Sequence, residues 1–256
     1  MADWSGRDYS RISGLQRTVA TETLAELVVD GDECVLDIGC GDGFLTREIA
    51  ERLPGGYIVG VDASPRMVAT AGQIGPSASA GPAYVCADAR RLPFGSSFDM
   101  VVSFNALHWV PQLGDALTGI AEALRPGGRA LIQMVCGSAR PSIESTAMQV
   151  ARSQRWERYF TGFGTPFVHP DPDAFSELAT ASGLHIDSVT VRDREWDFGS
   201  REQFSAWCTV GCTAWTDQIA EPERAAFIDD AVSAYEPVAG RPGLFRFMQL
   251  RAELHS

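Results

Sequence analysis

The chain of 256 residues is 45% hydrophobic and 21% charged, a composition typical of a globular protein with a sizeable core. It has no run of 18 or more apolar residues, so the sequence predicts no helix that spans a membrane and no membrane partner. The opening residues lack a basic and apolar signal segment, which favours a cytoplasmic location. The net charge of −12 disfavours nucleic acid as a partner, because its phosphates attract Lys and Arg.

An N-terminal helix is predicted over residues 14–28, followed by five short apolar segments that alternate with helical ones. The five predicted strands are 33–39, 57–62, 83–88, 98–104 and 129–135. The helices predicted between them are 43–53, 64–72 and 114–124. Short apolar segments bounded by Gly, Pro or Asp are typical of strands that are buried on both faces of a parallel sheet. The alternation therefore favours a doubly wound α/β sheet.

The regular alternation ends after Val135. A polar helix candidate that also carries arginines and aromatic residues covers 144–160. A second helix is predicted over 171–183, with Asp171 as its N-cap, and a strand is predicted over 184–191. Residues 197–240 have a mostly helical pattern, and the alternation of 244–254 predicts a last strand.

The cysteines are spread along the chain, and four of the six lie in or beside apolar, strand-like segments. A reduced cysteine behaves in such places as a small hydrophobic residue. Cys208 and Cys212 are four residues apart on a predicted helix, but no further His or Cys nearby completes a metal site. We therefore expect free thiols in a reducing compartment, and no metal centre.

A glycine-rich segment, residues 39–43, follows the first predicted strand. Such glycines let the backbone turn sharply and approach a ligand, and the helix behind them offers free N–H groups. Asp62 ends the second strand, where a carboxylate can accept hydrogen bonds from both hydroxyls of a ribose. Asp88 ends the third strand, where its carboxylate can accept a hydrogen bond from the exocyclic amine of an adenine beside Ala89. The alternative is that both acids only cap the following segments, but three strand ends that meet at one crevice favour a nucleoside site.

A nicotinamide dinucleotide fits this segment less well. A dinucleotide loop usually has the spacing G-x-G-x-x-G, in which the third glycine allows close packing of helix on strand. The spacing here is G-x-G-x-G, and Phe44 occupies the position that the third glycine would take.

Together these segments resemble the successive motifs of class I S-adenosylmethionine-dependent methyltransferases. The motifs occur in order over residues 33–135, as VLDIGCGDG (35–43), VDASPRMV (61–68), CADARRLPF (86–94), FDMVVSFNALHWV (98–110) and ALRPGGRALI (123–132). The start of the chain and NALHWV are more similar to the trans-aconitate, juvenile-hormone-acid and malonyl carrier-protein methyltransferases. The segment TVGCTAWTDQI (209–219) departs from them, because it stands where an Arg-bearing segment for a tricarboxylate is expected.

The resemblance implies a seven-stranded, mostly parallel sheet whose last strand is antiparallel, with helical lids. On this interpretation residues 1–256 form a single methyltransferase domain. Its parts are an N-terminal helical cap (1–30), a cofactor-binding core (31–135) and two lid insertions (136–170 and 195–240).

The resemblance also assigns residues to the cofactor S-adenosylmethionine. It places Asp62 at the ribose, Met67 near the adenosine, and Asp88 and Ala89 around the adenine. The other expected cofactor contacts come from the N-terminal region, the glycine-rich segment and the strand ends: Tyr9, Gln16, Asp37, Gly39, Cys40, Gly41, Gly43, Ala63, Phe104 and Asn105.

His108 is the candidate catalytic residue, because it lies just beyond the fourth strand, facing the reaction crevice of the resembled family. An imidazole with an ordinary pKa of about 6.5 suits a general base near neutral pH. A carboxylate acceptor needs no base, and His108 would then only orient the substrate. A histidine that only bonds to backbone is the third alternative.

Trp109, Arg152 and Trp156 are the further expected substrate contacts, as pocket walls and as a cation for an anionic group. The alternatives for these residues are an arginine on a solvated helix face and tryptophans that pack in the core.

The expected function is direct, in-line transfer of a methyl group from S-adenosylmethionine to an oxygen or carbon atom of a small molecule. The cofactor carries its own activated leaving group, so the protein mainly aligns the reactants away from water. The alternatives are an RNA methyltransferase, which the negative charge disfavours, and a protein that binds the cofactor without transferring methyl. The substrate and the oligomeric state stay open.

Overall fold

A seven-stranded mixed sheet organises the protein, whose computed structural model describes residues 14–73 and 81–256. The strands are β1 (Cys34–Ile38), β2 (Tyr57–Asp62), β3 (Ala83–Cys86), β4 (Phe98–Phe104), β5 (Leu124–Val135), β6 (His185–Asp197) and β7 (Leu244–His255). Their order across the sheet is β3-β2-β1-β4-β5-β7-β6. Strands β1 to β5 pair in parallel, and β7 lies antiparallel between β5 and β6. The predicted mostly parallel sheet with an antiparallel last strand is confirmed.

Helices connect the strands and also form much of the second half of the chain. They are α1 (Gly14–Glu26), α2 (Phe44–Ala50), α3 (Pro65–Gln73), α4 (Leu113–Ala123), α5 (Ile143–Ala151), α6 (Pro172–Ala181), α7 (Arg201–Gly211), α8 (Thr213–Thr216) and α9 (Glu221–Ala239). Two short 3₁₀ turns cover Leu107–Trp109 and Glu157–Tyr159. The predicted N-cap of α6 is present, since the Asp171 carboxylate accepts the Ala174 N–H at 2.8 Å. Within the described residues, no helix has both the length and the apolar character needed to cross a membrane.

The helix predicted over 144–160 is shorter in the structure and ends at Ala151. The Ser153 hydroxyl donates to the Val150 carbonyl at 2.7 Å, a local bond that competes with continued helix. The chain then turns so that Trp156 is buried, and its indole N–H donates to Asp230 on α9 at 2.7 Å. A local side-chain hydrogen bond and a tertiary contact thus both lie where this helix ends.

Strand β6 extends to Asp197, six residues beyond its predicted end. Its second half, VRDREWD, has charged residues instead of an apolar segment, so the sequence pattern does not mark it as a strand. The structure explains the difference, because β6 is an edge strand that pairs only with β7, up to Asp197 opposite Leu244. Backbone pairing to one neighbour continues where the side chains are exposed.

Both faces of the sheet are covered. Leu117 and Ile120 of α4 and Phe175 of α6 pack on one face, while Leu24 of α1 and Ile49 of α2 pack on the other. A third apolar cluster forms where α5, α7, α8 and α9 meet the start of β7. Because β7 is antiparallel, its start lies beside the carboxyl end of β5. This is the edge of the sheet at which α/β proteins bind ligands.

Candidate active site

The glycine-rich segment turns sharply between β1 and α2. Gly39, Gly41 and Gly43 have φ values of 78°, 56° and 76°, in the left-handed region that favours glycine. A Cβ on Gly39 would collide with Ala106, whereas the same position on Gly41 faces open space. The Gly39 and Cys40 N–H groups donate to the Val61 carbonyl at 2.7 and 3.0 Å, which ties the segment to β2. The Gly41 backbone is thus left open to a ligand.

Asp62 is held at the carboxyl end of β2 by backbone donors. Its Oδ2 accepts the Gly41 N–H at 3.0 Å and its Oδ1 accepts the Ser64 N–H at 2.8 Å. Burial raises the pKa of Asp62, and these two hydrogen bonds oppose the increase. Each carboxylate oxygen can still accept a further hydrogen bond, which is what the two ribose hydroxyls require.

A crevice opens beside Asp62 at the ends of β1, β2 and β4, and a smaller hollow lies next to the glycine-rich segment. We call the two together the cofactor crevice, because expected cofactor contacts line both. The main part is lined by Ile38, Gly39, Gly41, Val61, Asp62, Ala63, Ser64, Met67, Ala87, Ala89, Phe104, Asn105, Ala106, Leu107, Trp109 and Val110. The hollow is lined by Arg17, Ala20, Gly39, Cys40, Gly41, Asp42, Phe44, Leu45, Phe104 and Asn105. Nine of the expected cofactor contacts meet here: Gly39, Cys40, Gly41, Asp62, Ala63, Met67, Ala89, Phe104 and Asn105.

Three of the expected cofactor contacts do not line this crevice. Asp37 is buried, 2% exposed, and the Thr46 hydroxyl donates to its carboxylate at 2.6 Å. Burial raises the pKa of Asp37 to about 7. Gly43 is the residue before α2 and receives a hydrogen bond from Tyr84 at 3.4 Å.

The third is Asp88, which is paired with Arg90. The ion pair holds the pKa of the Asp88 carboxyl below its usual value. Two further expected contacts, Tyr9 and the side chain of Gln16, lie outside what the structure describes.

Asn105 has an unusual conformation at the end of β4. Its φ of 56° is the only positive value among the non-glycine residues that the structure describes. Asparagine tolerates this left-handed region better than most residues. The Asn105 N–H donates to the Gln133 carbonyl of β5 at 2.7 Å, which holds the turn in place. Asn105 lines both parts of the cofactor crevice and also a second, separate pocket.

This second pocket, which we call the apolar pocket, lies between α1, α5, α7, the start of β7 and the turn after β4. Its lining residues are Leu15, Val19, Asn105, His108, Trp109, Val135, Ile143, Glu144, Trp207, Val210, Gly211, Cys212, Phe245 and Phe247. Three buried polar atoms in this wall have no hydrogen-bond partner: His108 Nδ1, Glu144 Oε2 and Trp207 Nε1. Buried polar groups in native proteins are nearly always paired, so three lining residues with unpaired buried atoms make this pocket a candidate ligand site.

His108 is 4% exposed in the wall of the apolar pocket. Burial lowers its pKa to about 3, and the neighbouring His169, with ring centres 6.1 Å apart, adds to the decrease. Its carbonyl accepts the Val168 N–H at 2.8 Å, which fixes the backbone at this position. The imidazole is therefore neutral at physiological pH, whereas the sequence alone suggested an ordinary titration near neutrality.

The expected substrate contacts divide into two groups. Trp109 lines both the apolar pocket and the cofactor crevice. Arg152 instead lies exposed at the end of α5 and lines neither cavity. Trp156 is 1% exposed and packs edge-on against Phe227 at 5.3 Å, inside the apolar cluster. Arg152 is therefore an arginine on a solvated helix face, and Trp156 is a tryptophan that packs in the core.

Glu144 and Trp207 are pocket residues that the sequence did not identify as a site. A signal for Glu144 exists, because it shares a helix face with Ala147, Met148 and Ala151 at spacings of three, four and seven residues. All four are buried. A single acid on the buried face of a helix is a candidate functional residue. Trp207 has no comparable signal, since buried and pocket-lining tryptophans have the same helical spacing.

The comparison with known proteins gives the class of this protein. A family model described as a methyltransferase domain matches residues 36–132. Trans-aconitate 2-methyltransferase of Mycobacterium tuberculosis (strain H37Ra) is 31% identical over 186 residues, which cover 72% of this chain and 69% of the relative. The chain belongs to the class I S-adenosylmethionine-dependent methyltransferases. It is therefore an enzyme with S-adenosylmethionine as its cofactor, as the sequence predicted.

Solved structures share the fold. Phosphoethanolamine N-methyltransferase 2 of Haemonchus contortus, solved with phosphomonomethylethanolamine and S-adenosylhomocysteine, has a TM-score of 0.62 and 19% identity. The match covers 97% of this chain and 56% of that one. The [4+2]-cyclase SpnF has a TM-score of 0.59 and 22% identity, over 92% of this chain and 79% of that one.

Proposed function

We propose that this methyltransferase transfers the methyl group directly to an oxygen or carbon atom of a small molecule that binds in the apolar pocket. The observation that carries the proposal is that Asn105 and Trp109 line both this pocket and the cofactor crevice. A molecule in one cavity and a cofactor in the other would therefore meet at these two residues. The trans-aconitate methyltransferase relative, whose acceptor is itself small, supports the class of acceptor.

The chain supplies position and shelter for this transfer. The sulfonium of the cofactor provides the activated methyl group, so the protein has to align the acceptor and exclude water. Leu15 and Val19 of α1, with Phe245 and Phe247 of β7, form apolar walls around the acceptor site. Asp62 would hold the ribose, and the open backbone at Gly41 would lie against the remainder of the cofactor.

His108 would orient the acceptor and would not remove its proton. A base with a pKa of about 3 is too weak to take a proton from a hydroxyl or a carbon acid near neutral pH. The unpaired Nδ1 in the pocket wall can still form a hydrogen bond with the acceptor. We therefore favour the orienting role among the alternatives for this residue.

The acceptor class can be tested with methyl-labelled S-adenosylmethionine. The enzyme is incubated with a cell extract from which small molecules, protein and RNA are then separated. We expect label in the small-molecule fraction, together with stoichiometric S-adenosylhomocysteine. Label in RNA would support the RNA methyltransferase instead. Cofactor binding without S-adenosylhomocysteine formation would support a protein that does not transfer methyl.

Asp62→Ala tests the cofactor site. The substitution removes the acceptor of two ribose hydroxyls, so we expect the affinity for S-adenosylhomocysteine to fall by roughly 100-fold or more in calorimetric titrations. Asp173→Ala is the matched control, because Asp173 is exposed on α6 and far from the crevice in sequence. If Asp62→Ala binds as tightly as the control, the ribose assignment is wrong.

A further inference from the structure

The polar groups of the apolar pocket define what kind of molecule it can accept. Glu144 is 5% exposed, and its Oε2 has no hydrogen-bond partner. Trp207 is also buried, and its indole N–H is likewise unpaired. A carboxylate accepts hydrogen bonds and an indole N–H only donates them. Besides His108 Nδ1, the pocket thus offers one strong acceptor and one donor within a wall that is otherwise mainly aliphatic and aromatic.

The same wall does not suit an anionic substrate. The chain has no lysine, so all 21 of its basic residues are arginines. Of the arginines that the structure describes, none lines the apolar pocket. Arg140 and Arg155, the nearest to α5 in sequence besides Arg152, are paired with Asp193 and Asp230. A carboxylate in this pocket would therefore face Glu144 with no described cation to offset the repulsion.

A hydroxyl group matches the unpaired atoms of Glu144 and Trp207, since it donates through its O–H and accepts through its lone pairs. We infer that the methyl acceptor is a predominantly apolar molecule with a hydroxyl group that donates to Glu144, and not a polycarboxylate. Glu144 would then also take the proton that this hydroxyl loses when its oxygen is methylated. This inference rests on the proposed function, because it assumes that the apolar pocket holds the acceptor. It separates this enzyme from relatives named for trans-aconitate.

A pair of matched probes tests the inference without turnover. 4-Propylphenol and 4-propylbenzoate have the same ring and tail, but one presents a hydroxyl and the other a carboxylate. Each is titrated calorimetrically at pH 7 into the full chain saturated with S-adenosylhomocysteine, with trans-aconitate as a third ligand. We expect 4-propylphenol to bind at least tenfold more tightly than either carboxylate.

Glu144→Gln tests the residue that carries the inference. Glutamine keeps the size of the side chain but replaces the carboxyl group with an amide, so we expect weaker binding of 4-propylphenol, by about tenfold, and a smaller preference over 4-propylbenzoate. Glu177→Gln is the matched control, since Glu177 is exposed on α6. Thermal unfolding and S-adenosylhomocysteine affinity show whether each variant is folded. If Glu144→Gln fails to fold, the preference of the wild type for 4-propylphenol over the two carboxylates still tests the inference.

Each other outcome overturns the inference. Equal or tighter binding of 4-propylbenzoate or trans-aconitate would show that the pocket accepts anions. Absence of 4-propylphenol binding to the loaded wild type would show that the pocket does not take such a molecule. A folded Glu144→Gln protein that keeps the full preference would remove Glu144 from recognition. These results leave the proposed function intact, because that depends on label transfer from the cofactor and not on the probes.

Discussion

At the scale of single residues, burial shifts the pKa values of two titratable groups, His108 and Asp37. It lowers the pKa of His108 to about 3 and raises the pKa of Asp37 to about 7. Both shifts favour the neutral form, as desolvation predicts. The sequence identifies both residues but not these shifts, because burial depends on which elements pack over each side chain.

We expect the pH profile of kcat/KM to have no acid limb that arises from His108. With a pKa of about 3, this imidazole stays neutral from pH 5 to pH 9, so kcat/KM should not fall through its titration in that range. His108→Gln keeps a hydrogen-bonding side chain, and we expect a modest loss of activity, about tenfold, with an unchanged pH profile. A wild-type limb near pH 6.5 that disappears in His108→Gln would show that His108 is a base.

The stability of the protein without cofactor is expected to depend on pH through Asp37. Between the ordinary pKa of 3.8 and about 7, the folded protein holds a proton that the unfolded chain has released. The free energy of unfolding should therefore decrease as the pH rises through this range. Asp37→Asn keeps an acceptor for the Thr46 hydroxyl but cannot ionise. Between pH 4 and pH 8, we expect the free energy of unfolding of this variant to change less than that of the wild type, by an amount on the order of 3 kcal/mol.

Urea unfolding at several pH values measures this difference directly. Other groups titrate in the same range, so the informative quantity is the difference between wild type and Asp37→Asn at each pH. Parallel curves for the two proteins would mean that the carboxyl of Asp37 is ionised in the folded state at neutral pH.

At the scale of the elements, the insertions after β5 and β6 form one packed unit with the start of β7. Trp156 joins the segment after α5 to α9 through its hydrogen bond to Asp230 and its contact with Phe227. The apolar pocket takes its wall from α5 and α7 of this unit as well as from α1. Its shape therefore depends on packing between segments that are far apart in the chain.

Trp156→Phe and Arg152→Ala separate the core from the surface of this unit. Trp156→Phe deletes a buried donor and some volume, so we expect a loss of about 1–3 kcal/mol in the free energy of unfolding. Arg152→Ala changes an exposed side chain and should alter stability by less than about 0.5 kcal/mol.

Chemical denaturation of both variants measures these differences. Activity provides the second comparison, because the KM for the acceptor should be unchanged in Arg152→Ala. A large increase in that KM would restore Arg152 as a substrate contact.

At the scale of the whole molecule, local patterns in the sequence determined the alternation of strands and helices and the nucleoside-binding edge of the sheet. Short apolar strands, helix caps and a glycine-rich turn are carried by each segment independently of the others. The resemblance of the successive motifs to a known family implied the antiparallel last strand and the cofactor. Nine expected cofactor contacts meet in one crevice because parallel strands end at the same edge of a sheet.

Only the tertiary structure decided which residues line the apolar pocket. Glu144 and Trp207 lie in segments far apart along the chain, and neither segment shows by itself that it meets His108. The burial of Trp156 likewise depends on its contacts with Asp230 and Phe227 of α9. The physical reason is that a pKa, an unpaired polar atom and a pocket wall are properties of packed neighbours, whereas a glycine turn or a buried strand is a property of the segment itself.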